Sequence, residues 1–310
     1  MILFVFVLLI ISSIVSAGFF SWFKKTIGGY ATSQNENVTV SVSGQKNVTV
    51  VIYNYSNINI NPTENNYTNV TIYVTLTDGD GVSDINTTSV RANFSREGEV
   101  LRSNSSCAYI GNINSTTANF SCNVDMWYFD AAGAYNVTAG GTDLGSTLFV
   151  YNYTVLQYTQ LQAFAIAPTS GNLTFPTVST GAVNQTANND PTIINNTGNY
   201  NVSLGNLQIL GVDLLGQVNS SQAIFAGNFT VGNNTGGTPG LECGNTTATR
   251  LFNNSYIAPR NTSLPRGNRT INDGNTGQEY FYYCLTNVPT DISSQTYSTI
   301  GGGAWIIKIV

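Results

Sequence analysis

The sequence contains no histidine. That removes Ser-His-Asp and Cys-His hydrolytic centres and every His-ligated zinc or haem site. Charge is scarce as well, with Asp, Glu, Lys and Arg making up 9% of residues, against about 25% in an ordinary soluble domain. Eleven Lys and Arg in 310 residues cannot lay down the basic stripe that a phosphate backbone needs, so no nucleic-acid partner is expected. The 16 acids are scattered, and no carboxylate pair suited to glycoside hydrolysis stands out. No enzymatic activity is expected. After residue 35 no helical period lasts three turns, which argues against a helical core.

Uncharged polar residues, chiefly Asn, Thr, Ser and Gly, fill the gap, and they fall into period-2 stretches. Residues 46–56, KNVTVVIYNYS, show the pattern best. Val48, Val50 and Ile52 alternate with Asn47, Thr49 and Val51, the mark of a strand with one buried face. The same residues spell an N-glycosylation acceptor, Asn-x-Ser/Thr, at Asn47, and another at Asn54. On a strand, the Asn and the hydroxyl residue of a triplet share one side while the middle residue faces the other. An apolar middle residue can then pack inward beneath an outward sugar. The arrangement recurs at Asn37, Asn69, Asn136, Asn152, Asn172, Asn201 and Asn228, and Asn86, Asn93 and Asn261 add further acceptors. In all, 23 of the 40 asparagines head a triplet without a central proline; chance placement would give roughly 8, so the excess points to glycosylation of an exported chain. The pattern predicts that Asn47, Asn136, Asn201 and Asn228 face outward while Val48, Val137, Val202 and Phe229 are buried.

Export is read from the N-terminus. Residues 2–17 form an apolar run closed by Val15-Ser16-Ala17, a small-residue site suited to signal peptidase. Residues 1–17 are therefore read as a signal peptide, with the mature chain starting at or near Gly18. No Lys or Arg precedes the run, whereas Lys24 and Lys25 follow it. Membrane contact is expected only if residues 2–27 remain uncleaved, when the run is just long enough to span a bilayer. Residues 18–34 read as a flexible aromatic and basic segment, whose start, GFFSWFKKTI, is either an interfacial anchor or a plain mature N-terminus.

Strand patterns at 38–43, 47–53, 69–76, 89–95 and 117–124 are separated by Asn, Gly, Ser and Pro clusters, the spacing of an all-β sandwich. Residues 130–137, DAAGAYNV, resemble the tyrosine corner of immunoglobulin-like domains. There a turn with Asp and Gly precedes a strand whose Tyr, here Tyr135, bonds through its hydroxyl to the corner backbone. Gly140-Gly141, Asp143-Leu144-Gly145 and a strand at 146–151 follow. That order resembles the closing hairpin of immunoglobulin-like and PKD-like modules of bacterial and archaeal surface proteins. The second Cys of the antibody pattern is Val137 here, so the antibody inter-sheet disulfide is not implied.

Residues 157–169 read as the join between two halves. Further strands are expected at 172–175, 178–181, 192–194, 200–204, 207–210, 229–231, 280–285 and 305–310. Asn196-Thr197-Gly198-Asn199 resembles the NTGN stretch of the same surface modules. The expected fold is all-β, with two immunoglobulin-like β-sandwich domains in tandem at 35–155 and 156–310. No second apolar span is read, so no C-terminal anchor is expected.

Cys107, Cys122, Cys243 and Cys284 divide two per half. Three connectivities are possible; pairing within each half, Cys107–Cys122 and Cys243–Cys284, is preferred because domains fold as units. The spacing does not suit zinc. Asp78-Gly-Asp80-Gly-Val-Ser-Asp84 clusters three carboxylates, which reads either as a Ca²⁺ loop or as a plain turn, since Asp-Gly is a common turn dipeptide. It is not an EF-hand: Ser83 stands where Gly is required and Ser89 where Glu is expected. No other cofactor is expected. Strand aromatics are ordinarily core residues, and Trp127 is read as one, although exposed rings could stack on sugars.

The composition resembles that of archaeal surface glycoproteins. The resemblance implies an extracellular or cell-surface protein without enzymatic activity, in an S-layer-associated, envelope or adhesion role. Its partners would be other envelope components or surface glycans. The alternative is a carbohydrate- or protein-binding module with its site on loops at one end of a sandwich.

Overall fold

The computed structural model describes residues 48–53, 58–167, 172–233, 243, 248–271, 273 and 276–310. The signal segment, the strand expected at 38–43 and the acceptors Asn37, Asn47 and Asn54 lie outside the described residues. Within them the protein is all-β, with three short 3₁₀ turns and no α-helix. No helix there is long and apolar enough to cross a membrane.

Nine strands build the first half: β1 (Thr49–Tyr53), β2 (Ile58–Ile60), β3 (Tyr67–Thr77), β4 (Ile85–Ser95), β5 (Arg102–Asn104), β6 (Ala108–Asn112), β7 (Thr117–Trp127), β8 (Gly133–Asp143) and β9 (Val150–Tyr158). They form two sheets, in the orders β1-β3-β7-β6 and β2-β9-β8-β4-β5. Every pairing is antiparallel except that of β2 with β9. The inward residues of both sheets make one core, with Ile72, Leu76, Phe120 and Met126 from the first sheet meeting Phe94, Val137 and Leu156 from the second.

The long strands follow from strict alternation. In β3, Val70, Ile72, Val74 and Leu76 are buried while Asn69 and Tyr73 face solvent. β7 repeats this with Ala118, Phe120, Cys122, Val124 and Met126. The two pair along their full length, from Tyr67↔Trp127 to Thr77↔Thr117. Each large buried side chain contributes about 1.5–3 kcal/mol. The outward rungs are joined by polar bonds, Asn69 Nδ2 to Asp125 Oδ1 at 2.7 Å and Thr71 Oγ1 to Asn123 Oδ1 at 2.6 Å.

That register corrects the reading of Trp127. The residue ends β7 on the outward side and is 37% exposed, while Met126 and Tyr128 beside it are buried. The tyrosine corner also needs correction. Tyr135 is fully buried on β8, but its hydroxyl has no hydrogen-bond partner. Tyr158 on β9, edge-on to Tyr135 at 6.3 Å, donates instead to the carbonyls of Met126 and Trp127 at 3.3 and 3.1 Å. The turn itself is held by Asp130, which takes both Arg102 guanidinium bonds and the Trp127 N–H. The hairpin expected to follow is present, with β8 and β9 paired from Gly133↔Tyr158 to Gly141↔Val150.

The second half contains β10 (Phe164–Ala167), β11 (Val183–Thr186), β12 (Thr192–Asn196), β13 (Leu207–Gly211), β14 (Leu214–Gly216), β15 (Ala223–Ile224), β16 (Phe229–Gly232), β17 (Thr249–Arg250), β18 (Ser255–Ile257), β19 (Gln278–Asn287), β20 (Tyr297–Ser298) and β21 (Ile306–Ile309). The main sheet runs β10-β12-β19-β16-β17, with β11 also on β19; β18-β13-β21 and β15-β14-β20 are smaller sheets. A separate core gathers Ile194, Leu207, Phe229, Val231, Leu264 and Phe281. Residues 172–175, 178–181 and 200–204 do not form strands. Their polar groups pair individually instead: Thr174 N–H with the Asn189 side chain, Gly181 N–H with the Val288 carbonyl, and Val202 with Leu264.

Both disulfides close within their own half, Cys107–Cys122 with Cα atoms 4.4 Å apart and Cys243–Cys284 at 5.2 Å. The first ties Cys107, in the connection between β5 and β6, where its N–H donates to the Val90 carbonyl at 2.8 Å, to Cys122 on β7.

The NTGN stretch lies where the connector after β9 meets the second core, and all four residues are buried. Asn199 Oδ1 accepts from Leu161 N–H at 2.7 Å, and its Nδ2 donates to the Thr159 carbonyl at 2.9 Å. Thr197 donates through its hydroxyl to Glu64 at 2.7 Å and accepts through its carbonyl from Asn65 N–H at 2.8 Å. Gly198 is required by close approach, since a Cβ there would sit 2.2 Å from the Leu161 carbonyl oxygen. Nearby, Arg266 pairs with Glu99 and donates to the Phe129 carbonyl at 2.7 Å.

Candidate functional site

The acceptor asparagines are the most numerous candidate groups. None of those among the described residues is buried. The only two buried asparagines there, Asn196 and Asn199, head no acceptor triplet, although Asn196 is the middle residue of the one headed by half-buried Asn195. On β8 Asn136 is exposed and Val137 buried, as the alternation predicts; Asn201 is exposed and Val202 buried as well, although they lie outside any strand. Val48 and Phe229 are buried too. Asn228 is half-buried, with its Nδ2 donating to the Asn287 carbonyl at 2.7 Å. Asn69, Asn172 and Asn261 are exposed, and Asn86 and Asn93 half-buried.

Asn152 departs from the pattern. It lies on the same side of β9 as Leu156 and Tyr158, at the open end of the sandwich, and its Nδ2 donates to the Val50 carbonyl at 2.9 Å. The middle residue of its triplet, Tyr153, is the outward one, at 73% exposure. Alternation fixes which residues share a face but not which face turns inward; here the inward face carries the Asn, which stays exposed because it lies beyond the packed part of β9.

Acceptors in turns and at the start of β4 follow a different geometry that the strand argument did not foresee. Asn86, Asn114, Asn219 and Asn268 each turn Oδ1 back to accept from the residue two positions on, which is the Ser or Thr of the same triplet. Nδ2, the atom a sugar would occupy, is left pointing away from those bonds. The signal was in the sequence, because Asn followed two residues later by Ser or Thr also favours this turn.

The three clustered acids meet at one pole of the first sandwich. Asp78 follows β3, Asp80 sits in the turn and Asp84 closes a 3₁₀ turn before β4. An oxygen from each carboxylate lies within 4.8 Å of the others. Asp78 is 1% exposed; its Oδ1 accepts from Asp80 N–H at 2.8 Å, while Oδ2 has no hydrogen-bond partner. The turn is pinned from outside by Asp78 N–H to the Thr116 carbonyl and Val82 N–H to the Ser115 carbonyl, at 2.8 and 3.0 Å. Asp143 at the end of β8, paired with Ile85, brings a fourth acid that the local sequence could not supply. The Asp84 carboxyl is pushed above its ordinary range, first by desolvation and then by Asp143, Asp78 and Asp80.

A further acid, Glu279, is buried in the second half. It accepts from Asn233 Nδ2, Ser263 N–H and Tyr280 N–H at 2.6, 2.9 and 2.9 Å. Burial outweighs these bonds and raises its pKa. The satisfied carboxylate reads as a structural anchor that ties β19 to residues 233 and 263.

Exposed aromatics occur on both faces of the first sandwich. Tyr67 and Trp127 pack edge to face at 5.4 Å, and Trp127 stacks on Phe129 at 5.8 Å. On the opposite face Tyr151 and Tyr153 are exposed, Phe149 stacks on Tyr151, and the Arg91 guanidinium lies 4.1 Å over Phe149. Acceptors share both faces: Asn69 is one outward position from Tyr67, and Asn93 shares a rung with Thr138 and Tyr153. A cavity of about 110 Å³, lined by Ile166, Leu173, Ile209, Tyr283 and Trp305, is small beside the roughly 300–1,000 Å³ of ligand pockets.

No family model matches the chain, and no curated protein does. Among solved structures, the chain is similar to one from a chaperone–tip adhesin complex of CFA/I fimbriae biogenesis. The identity is 9% and the TM-score 0.19, over 84% of this chain and 97% of that one. At that TM-score the likeness carries no argument about function.

Proposed function

We propose that this is an exported, N-glycosylated cell-surface protein of two tandem immunoglobulin-like sandwiches, acting without enzymatic activity in the envelope or in adhesion. The observation that carries the reading is the separation of asparagines: every described acceptor reaches the surface, and the two buried asparagines are not acceptors. The sheet orders of the first half support the module, because β1-β3-β7-β6 follows the A-B-E-D order and β9-β8-β4 the G-F-C order of that fold. The second core supports a second sandwich. Two disulfides are consistent with an oxidising compartment.

In this reading the sugar coat carries the role. With 9% charged residues, solubility and protease resistance rest on uncharged polar groups and glycan. The aromatic faces carry acceptors, so sugar at Asn69, Asn93 or Asn136 would cover the rings a polysaccharide would need. Enzymatic deglycosylation of the native protein should lower its solubility and speed digestion by a broad-specificity protease, while far-UV circular dichroism stays unchanged. An intact mass equal to that of the bare polypeptide would end the proposal. So would saturable polysaccharide binding by the deglycosylated protein that Tyr153→Ala abolishes.

A further inference from the structure

The acidic pole is electrostatically incomplete. Four carboxylates, those of Asp78, Asp80, Asp84 and Asp143, converge on the turn between β3 and β4 and the end of β8. Asp78 shows the deficit most directly, since it is almost wholly buried and Oδ2 accepts nothing. A buried carboxylate oxygen without a donor costs more than an ordinary lost hydrogen bond, because its water has been removed without replacement. Backbone N–H groups satisfy Asp78 Oδ1 and Asp143 Oδ1, but none reaches Asp78 Oδ2.

We propose that this pole binds a calcium ion, with Asp78, Asp80 and Asp84 supplying carboxylate oxygens, Asp143 adding negative charge behind them, and water completing the shell. Two oxygens on one ion can be no farther apart than twice the metal–oxygen distance. That limit is about 4.6–5.2 Å for Ca²⁺, and the trio, within 4.8 Å of one another, can share such an ion. Ca²⁺ also tolerates irregular oxygen geometry, whereas Mg²⁺ demands a near-octahedral shell and sheds water reluctantly. A turn pinned to residues 115 and 116 on one side, and through Leu144 N–H to the Asp84 carbonyl on the other, presents its oxygens in the irregular manner the larger ion accepts. Three protein carboxylates with water making up the rest fit an extracellular module, whose Kd values are about 10⁻⁴–10⁻³ M. The ion would tie together the β3–β4 turn and the start of the β8–β9 connection.

The site does not depend on glycosylation, so its test stands apart from that of the proposed function. The full exported protein is stripped with EDTA, dialysed, and melted in 10 mM CaCl₂, in 10 mM MgCl₂ and in NaCl of equal ionic strength, ~10 mM being well above the expected Kd. Calcium should raise the midpoint by roughly 5 °C or more, with NaCl giving no comparable rise and MgCl₂ a smaller one. Equilibrium dialysis with radioactive calcium should find one saturable site. In Asp80→Asn/Asp84→Asn, which alters the two accessible acids and leaves buried Asp78 in place, the rise and the saturable binding should both vanish. The metal-free double variant should melt no lower than the metal-free parent, because it relieves repulsion. No calcium effect beyond that of NaCl, an equal effect of MgCl₂, or an undiminished rise in the double variant would overturn the proposal.

Discussion

Two tyrosines in the first core make opposite contributions. Burial and the nearby acids Asp130 and Glu99 push the Tyr135 phenol up to about 12, so it stays neutral at physiological pH, yet it meets no partner. Tyr158 is as deeply buried and donates to two backbone carbonyls. Removing an unpartnered buried hydroxyl relieves a desolvation cost, whereas removing a bonded one strands its acceptors. Tyr135→Phe is therefore expected to leave stability unchanged or raise it by up to about 1 kcal/mol, and Tyr158→Phe to lower it by about 1 kcal/mol. Urea denaturation of the two single variants checks the order, and a larger loss in Tyr135→Phe would restore the tyrosine-corner bond. The motif at 130–137 announced a buried tyrosine in a strand after a turn, and that much was legible. The partner of its hydroxyl was not, because it depends on how β7 and β9 lie across the core and not on residues near Tyr135 in the chain.

Strands were readable in proportion to their length and to the contrast between their faces. β3, β4 and β7 each run for eleven residues with one apolar face, and the sequence locates all three. β2, β5 and β6, spelled INI, RSN and AYIGN, are too short or too polar to show a period. They form because a neighbouring long strand offers an open edge. The same limit applies to the second half, where many strands have two to four residues and 200–204 pairs through one bridge and two side-chain bonds instead of a ladder. Close approach in the β8–β9 hairpin gives a sharper test. A Cβ on Gly140 would fall 2.0 Å from the Val150 carbonyl oxygen and 2.7 Å from Tyr151 Cα. Gly140→Ala must push β9 away, at an expected cost of about 1–3 kcal/mol. Chemical denaturation measures it, and amide exchange in β9 should accelerate. A variant as stable as the parent would show that the two strands are less closely apposed.

At the scale of the whole molecule, the junction between the cores has more specific bonding than a simple linker would. Residues 157–169 looked like a connection with turn chemistry, and the sequence held no sign that Asn199 would grip the chain at Thr159 and Leu161. Those contacts span about forty residues, beyond any local pattern. Asn199→Ala deletes both side-chain bonds and leaves part-buried backbone groups of Thr159 and Leu161 without these partners, an expected cost of about 1–2 kcal/mol in all. The Leu161 amide should lose exchange protection, and small-angle scattering should report a broader range of overall dimensions with both disulfides intact. Unchanged exchange at Leu161 would show that the side chain is dispensable.

The parallel pairing of β2 with β9 has a mechanical consequence. β2 lies near the start of the first sandwich and β9 is its last strand, and Ile58, Asn59 and Ile60 run alongside Leu156, Gln157 and Tyr158 in the same direction. Tension drawn along the polypeptide through this sandwich pulls β2 backward and β9 forward, sliding one past the other. Their hydrogen bonds then share the load at once and cannot open one after another from an end. The strand adjoining the junction is thus a point of resistance to stretching.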